Sequence, residues 1–252
     1  MYKANPAYET PDDCTRLWRY MNLGEFLQVL FSKELYFCRT SEFPDEWEGT
    51  LPLSFLQLLR EIGDQVNFSA VKAFLEKLVV QHAISCWHAN EVESVAMWAL
   101  YTDGLDGVAI QTTVGRLKRA FAECPEGINI CKVSYVDHSS SETGGLNALT
   151  PVLIKRRSYE HENEVRAVIS AVQDNVDLTE LARRPLSGVG LFVSVDLTVL
   201  VERIVLSPKY PPWAKPAIEN IVSGAGLKIR VETSDLLKSP ESLENPRNIR
   251  TR

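Results

Sequence analysis

Apolar positions along the chain fall into short alternating runs separated by stretches of helical period. Residues 15–21 (TRLWRYM) alternate as a half-buried strand does. Asn22 follows, with Glu25 three positions on, and this capping-box pattern opens a predicted helix over NLGEFLQVLFSK. ELYFCR at 34–39 reads as the next strand, and TSEFPDEWEG at 40–49 as a polar, aromatic loop broken by Pro44 and Gly49. Apolar residues at three- and four-residue steps predict helices over 51–62 and 68–80, each covering one side of a sheet. HAISCW at 82–87 is strand-like, VESVAMWALY at 92–101 helical, DGLDG at 103–107 a turn, and GVAIQT a short buried strand.

The second half continues the mixture. TVGRLKRAF at 113–121 reads as a short basic amphipathic helix and INICKVSYV at 128–136 as one strand. DHSSSETGG at 137–145 reads as an exposed loop or a mobile flap, with 137–149 a possible lid. ENEVRAVISAV at 162–172 returns to the sheet, and GLFVSVDL at 190–197 and RIVLSP at 203–208 add strands. A helix over Trp213–Ser223 ends at Gly224 and leads into the strand LKIRVET. These elements divide the chain into an N-terminal arm (1–14), a single α+β domain (15–235) and a flexible polar tail (236–252). Strands outnumber βαβ units, so the expected fold class is α+β: a mixed, mainly antiparallel central sheet with helices packed around it.

Composition narrows the function classes. The 252 residues are 45% hydrophobic and 24% charged, an ordinary globular balance. A net charge of −6 argues against a broad cationic surface for nucleic acid, while leaving room for a local basic cleft. The opening MYKANPAYETPDD does not read as a signal peptide, and the chain lacks an uninterrupted apolar run of membrane-spanning length. The expected location is therefore cytoplasmic, with no membrane partner. Five cysteines without a CxxC read as free thiols. Cys86-Trp87-His88 with His82 has no second ligand pair, so no metal is expected. Neither GxGxxG nor GxxxxGK[ST] occurs, and Gly144-Gly145 lacks that context. Arg116, Lys118 and Arg119, and the run Lys155-Arg156-Arg157, read as solvated faces or as approaches to phosphate.

Candidate chemistry gathers at Glu162-Asn163-Glu164-Val165-Arg166. On an extended strand Glu162, Glu164 and Arg166 would share one face, with Asn163, Val165 and Ala167 opposite. Two carboxylates and a guanidinium on one face make either a cleft site or a solvated, salt-bridged surface of little energetic value. Arg19, between Trp18 and Tyr20, points away from both. It is suited either to gripping a pyrophosphate bidentately or to stacking and surface pairing. Arg16 and Arg39 are further candidates. Ser85 satisfies a backbone group or contacts a ligand, and His88 is a candidate general base. Cys86 has no activating charge other than that histidine. Trp98 and Tyr101, three apart, form one helix stripe that is core or aromatic wall.

Several motifs recur in a familiar order: LWRYM at 17–21, EFPDEWEG, ISCWH, MWALY followed by Gly107-Val108, VSY, and YEHENEVR. Over residues 15–235 they resemble the bacterial family catalogued as domain of unknown function 2971. The loop Glu42–Glu48 departs from that family's Asn-Asp-Pro, and Cys86 and His88 flank Trp87 where the family often has Phe and Ser. A looser similarity is to ADP-ribosyltransferase domains, in the order Arg19, helix, strand, Ser85 and a late glutamate. That similarity implies a split sheet with NAD as substrate. It puts Arg19 on the pyrophosphate, Ser85 toward the nicotinamide side, and Glu164 as catalytic carboxylate beside Glu162. Arg166, Tyr20, Trp98 and Tyr101 would complete the cofactor-binding set. It implies transfer to a macromolecule, protein or nucleic acid, or hydrolysis of NAD, in a bacterial stress or phage-defence effector. Two other readings stand beside it. One is a non-catalytic module sensing a nucleotide or protein; the other is a nuclease using Glu162, Glu164 and His161. The enzymatic reading requires Arg19 and the acidic pair to meet across one pocket.

Overall fold

The alternation at the start of the chain folds as β1 (Arg16–Met21). Leu17 and Met21 enter one core cluster, Trp18 and Tyr20 another on the opposite side of the strand. The computed structural model describes residues 1–45, 47–50, 57, 73, 76, 78–102, 105–137, 148–171 and 189–239. The capping box forms as predicted ahead of α1 (Leu23–Ser32). Asn22 Oδ1 accepts from the Glu25 amide at 2.9 Å, and Glu25 Oε2 accepts from the Asn22 amide at 3.0 Å. The helix stops at Lys33 in the left-handed region (φ 57°), and the chain turns directly into β2 (Glu34–Arg39).

The remaining strands are β3 (His82–Ala89), β4 (Val108–Thr113), β5 (Ile128–Lys132), β6 (Ser134–Val136), β7 (Ile154–Arg156), β8 (Glu164–Ser170), β9 (Gly190–Ser194), β10 (Arg203–Leu206) and β11 (Val231–Thr233). Between them lie α2 (Val95–Tyr101), α3 (Val114–Ala120), α4 (Thr150–Leu153), α5 (Leu197–Leu200) and α6 (Lys215–Gly224). Among the described residues the main sheet runs β11-β10-β4-β1-β3-β2-β9, with β8 against β3 and β5 against β8. Its pairs are antiparallel except β10 with β11. The expected mixed, mainly antiparallel α+β architecture is what forms.

The sheet is forked at β3. One edge of β3 pairs with β8 from His82 to His88. The other is shared: β1 meets it at Trp18↔His88 and Leu17↔Ala89, and β2 at Cys38↔Ile84 and Arg39↔Ala83. Ser85, Cys86 and Trp87 pair with neither. One face of the forked sheet carries the large core, which takes in Phe26, Val29 and Leu30 of α1, Leu117 of α3 and Ile218 and Val222 of α6. The other face carries two smaller clusters. One gathers Trp18, Tyr20, Met97 and Trp98; the other gathers Ile84, Cys131, Val152 and Val168.

Several expectations need correction. The predicted strand 128–136 breaks at Val133, whose amide donates to the Glu164 carbonyl at 2.9 Å; β5 stays in the main sheet while β6 pairs in parallel with β7. The strand predicted from Glu162 starts only at Glu164. Residues Arg157–Glu162 form 3-10 turns, and Asn163 reverses the chain in the left-handed region (φ 38°). Asn163 is exposed rather than core-facing; its side-chain amide donates to the Ala89 carbonyl at 2.6 Å. Of LKIRVET only Val231–Thr233 pairs, and of GLFVSVDL only Gly190–Ser194. The helices predicted at 51–62 and 68–80 lie mostly outside the described residues, as do the 137–145 flap beyond Asp137 and the tail from 240.

Residues 1–14 are tied to the β5 edge. Lys3 donates its amide to the Ile128 carbonyl at 2.8 Å, Lys132 its amide to the Glu9 carbonyl at 2.8 Å, and Thr10 its hydroxyl to the Ile130 carbonyl at 2.7 Å. Among the described residues no helix is long and apolar enough to cross a membrane.

Candidate functional site

Where β1 and β2 part from β3, a cleft of about 670 Å³ opens, lined by Arg19, Tyr20, Tyr36, Trp87, His88 and Glu164 among others. Arg19 fills the fork. Its Nη1 donates to Ser85 Oγ, its Nη2 to the Tyr36 carbonyl at 3.3 Å, and its guanidinium carbon lies 5.8 Å from the centre of the Trp87 ring. Both acceptors are neutral, and no carboxylate pairs with Arg19 among the described residues. Burial pushes its pKa down, against the distant pull of Cys86 and Glu25. Trp87, 1% exposed, has no acceptor for its indole N–H among the described residues. The fork therefore presents a guanidinium without an anion among the described residues.

The acidic pair approaches from the other face of the sheet. Arg19 sits opposite Ile110, a residue of the large core, whereas Glu164 sits opposite His88 and Arg166 opposite Cys86. In an unbroken sheet Arg19 and Glu164 would be separated by the backbone. Because β1 and β2 diverge, the cleft passes through the fork, and Arg19, Glu162 and Glu164 all line it.

The two glutamates are not equivalent. Arg166, with no exposed surface, uses all five of its N–H groups. Nε and Nη2 donate to Glu164 at 2.9 Å each, Nη1 and Nη2 to Glu48 at 3.0 and 2.9 Å, and Nη1 also to the Val152 carbonyl at 2.7 Å. Lys155 Nζ lies 2.5 Å from Glu162, 3.3 Å from Glu164 and 3.3 Å from Glu48. Three carboxylates thus surround two cations. Burial alone would raise Glu164, but Arg166 and Lys155 outweigh it and hold the carboxyl at about 2. Burial alone would depress Lys155, and Glu164, Glu162 and Glu48 reverse that and keep it charged. Glu162 has a lighter load: Lys155 on one oxygen and the Tyr101 hydroxyl, donating at 3.2 Å, on the other.

Among the other candidates, Tyr20 and Tyr101 line the cleft, Tyr101 at 45% exposure. Trp98 does not: it packs edge-on against Tyr20 with centroids 4.9 Å apart and donates to Glu93 at 3.0 Å. Ser85 is buried beneath Arg19 and Arg166 behind Glu164. Arg16 pairs with exposed Glu91, and Arg39 donates to the Val80 carbonyl. The basic helix has structural work: Arg116 donates to the Val201 carbonyl at 3.0 Å, and Lys118 pairs with Asp13 at 2.7 Å. Burial, then Glu164, pushes the Cys86 thiol well above its usual range, which disfavours the thiolate a nucleophile needs.

Glu48, Tyr36 and Phe192 are site residues that the sequence did not single out, and Lys155 was read only as part of a basic run. Glu48 comes from the 40–49 loop, 118 residues before Arg166. Its one sequence signal is the pair of acids flanking Trp47, and the same loop sends Asp45 to Arg156 at 2.9 Å. Lys155 stood in a basic run whose other members diverge: Arg156 lies over the Trp47 and Tyr159 rings at 5.5 and 5.4 Å, and Arg157 is exposed.

No family model matches the chain, and no curated protein does. The resemblance to domain of unknown function 2971 therefore rests on the quoted motifs. Among solved structures, DarT from Thermus sp. 2.9, determined in complex with ADP-ribosylated single-stranded DNA, is similar at a TM-score of 0.41 and 9% identity, over 90% of this chain and 97% of that one. An overlap of that size carries no argument about this chain's chemistry, which stands on the cleft itself.

Proposed function

We propose that the forked cleft binds NAD or a related nucleotide, and that the chain is an ADP-ribosyltransferase-like enzyme that transfers ADP-ribose to a macromolecule or hydrolyses NAD. The observation that supports this most is the Arg19 guanidinium in the fork, hydrogen-bonded among the described residues only to neutral oxygens and lying over the Trp87 ring. A half-buried guanidinium without a carboxylate is matched by a phosphate oxyanion, and a pyrophosphate satisfies it bidentately. Aromatic surfaces flank it on both sides, with Tyr36 and Phe192 (centroids 5.2 Å apart) at one and Tyr20 and Tyr101 at the other. They suit the adenine and nicotinamide rings.

Sequence order favours Glu164 for the carboxylate that steadies positive charge on the ribose. The ion pairing favours Glu162, because Glu164 is already clamped on both oxygens by Arg166. We assign Ser85 the role of holding Arg19, and Glu164 with Arg166 that of holding the wall. The family resemblance supports a setting in bacterial stress or phage defence.

Incubation with NAD labelled in the adenosine and nicotinamide parts tests the reading. Nicotinamide release is expected from the native chain and its loss from Glu162→Gln. Arg19→Ala is expected to weaken NAD binding about 10-fold or more. A native chain that neither binds NAD nor releases nicotinamide sinks the proposal. A second reading, a nucleotide sensor without turnover, is favoured by one observation: every carboxylate of the cleft cluster already has a cationic partner. Calorimetric NAD binding without release would select it.

A further inference from the structure

His88 stands at the end of β3 where two strands meet it, opposite Trp18 of β1 on one side and Glu164 of β8 on the other. It lines the cleft and is 5% exposed. Its Nδ1 lies 2.5 Å from the main-chain carbonyl oxygen of Glu162. A carbonyl only accepts, so Nδ1 carries the hydrogen and Nε2 keeps a bare lone pair. Nε2 is buried and has no partner among the described residues. A second proton there would need an acceptor that is absent among the described residues. Burial, with a smaller push from His161 and against the Glu162 carbonyl and carboxylate, lowers the pKa of the ring. The facing titratable groups are Tyr20 from β1, at 6.2 Å between ring centres, Glu164 from β8, and His161 and Glu162 from the turn. A buried acceptor left unanswered is costly, and folded proteins seldom keep one without a use.

We propose that His88 Nε2 takes the proton of the group that attacks the bound nucleotide, and that this group is a hydroxyl, of water or of an alcohol-bearing target. The proposal rests on the NAD reading and deepens it by naming the acceptor class. The attacking oxygen forms a bond to ribose C1′. The bond from C1′ to the nicotinamide nitrogen breaks, its electron pair returning to the ring to leave neutral nicotinamide. The hydroxyl proton moves to Nε2 and then to solvent. A carboxylate acceptor has no proton to give Nε2 and would face Glu162 and Glu164; a guanidinium acceptor would have to shed its charge first. A hydroxyl meets neither objection. His88 holds its tautomer through Glu162, so the same hydrogen bond fixes both the base and the turn carrying the carboxylate.

Two measurements test this. In the first, the imidazole nitrogens of the intact protein, which has four histidines, are followed by 15N NMR. His88 Nε2 should resonate as an unprotonated nitrogen and shift when NAD is added together with the alcohol acceptor glycerol. In the second, His88→Asn keeps an amide where Nδ1 meets the Glu162 carbonyl but removes Nε2. It is expected to bind NAD as the native chain does and to release nicotinamide about 100-fold more slowly or worse. Free ADP-ribose as product identifies water as acceptor; ADP-ribosyl glycerol identifies an alcohol. If NAD binds, but the Nε2 signal shows a protonated nitrogen or His88→Asn turns over at the native rate, the assignment to His88 is overturned while the NAD reading survives. If NAD does not bind at all, both fall.

Discussion

At the scale of single residues, the most consequential finding is that the Glu-x-Glu-x-Arg pattern is not a solvated face. Arg166 has no exposed surface and Glu164 is 4% exposed. A surface ion pair is worth little, whereas breaking a buried one strands a charge away from water. Arg166→Met leaves Glu164 and Glu48 facing only Lys155. It should lower stability by about 3–5 kcal/mol in urea unfolding. The same cluster sets a pH dependence. Glu164 is depressed from 4.5 to about 2, so its contribution is complete above the unfolded carboxyl pKa and is lost as pH falls from 4.5 through 2. The urea midpoint of the native chain should therefore drop steeply over that window. Glu164→Gln should start lower and fall less, and an equally steep fall in that variant would mean that Glu164 is not ionised in the native state. The residue types of this cluster were legible because i, i+2 spacing puts Glu164 and Arg166 on one face. Their burial was not, because it depends on Glu48 arriving from a loop 116 positions before Glu164.

At the scale of elements, what local chemistry determines was legible and what long-range pairing determines was not. The Asn22/Glu25 box could be read because its partners are three residues apart, and the structure forms both bonds. Asn22→Ala should cost about 1 kcal/mol, seen as a lower urea midpoint with unchanged m-value. The turn before β8 is the counter-example. ENEVRAVISAV has a continuous strand pattern, yet Asn163 adopts φ 38° because its side chain and carbonyl both engage Ala89 on β3, 74 positions away. That reversal swings Glu162 off the strand and toward Tyr101 and Lys155, creating the asymmetry between the two glutamates. Likewise the apolar run at 128–136 could not show its break at Val133, which the Glu164 carbonyl imposes from β8.

At the scale of the whole molecule, a net charge of −6 coexists with a cleft whose lining arginine has no acid partner among the described residues, because the fork holds Arg19 away from the carboxylates. The fork exists because β3 divides one edge between two strands, so the sheet's integrity depends on the other edge, where β8 and then β5 continue it. Beyond β5 lies the N-terminal arm, which a composition reading treats as separate from the domain. Its contacts with Ile128, Ile130 and Lys132 occupy the groups that a bare edge strand would offer to another chain. Removing residues 1–10 should therefore lower the unfolding midpoint and add concentration-dependent association, measured by light scattering during a thermal ramp. Each of those hydrogen bonds contributes about 1 kcal/mol net, so the loss of stability should be a few kcal/mol. The association matters more. A truncated chain that stayed monomeric at every concentration would show that the arm only decorates β5. One that self-associated, with its NAD binding intact, would show that it seals the sheet while the fork holds the cleft open.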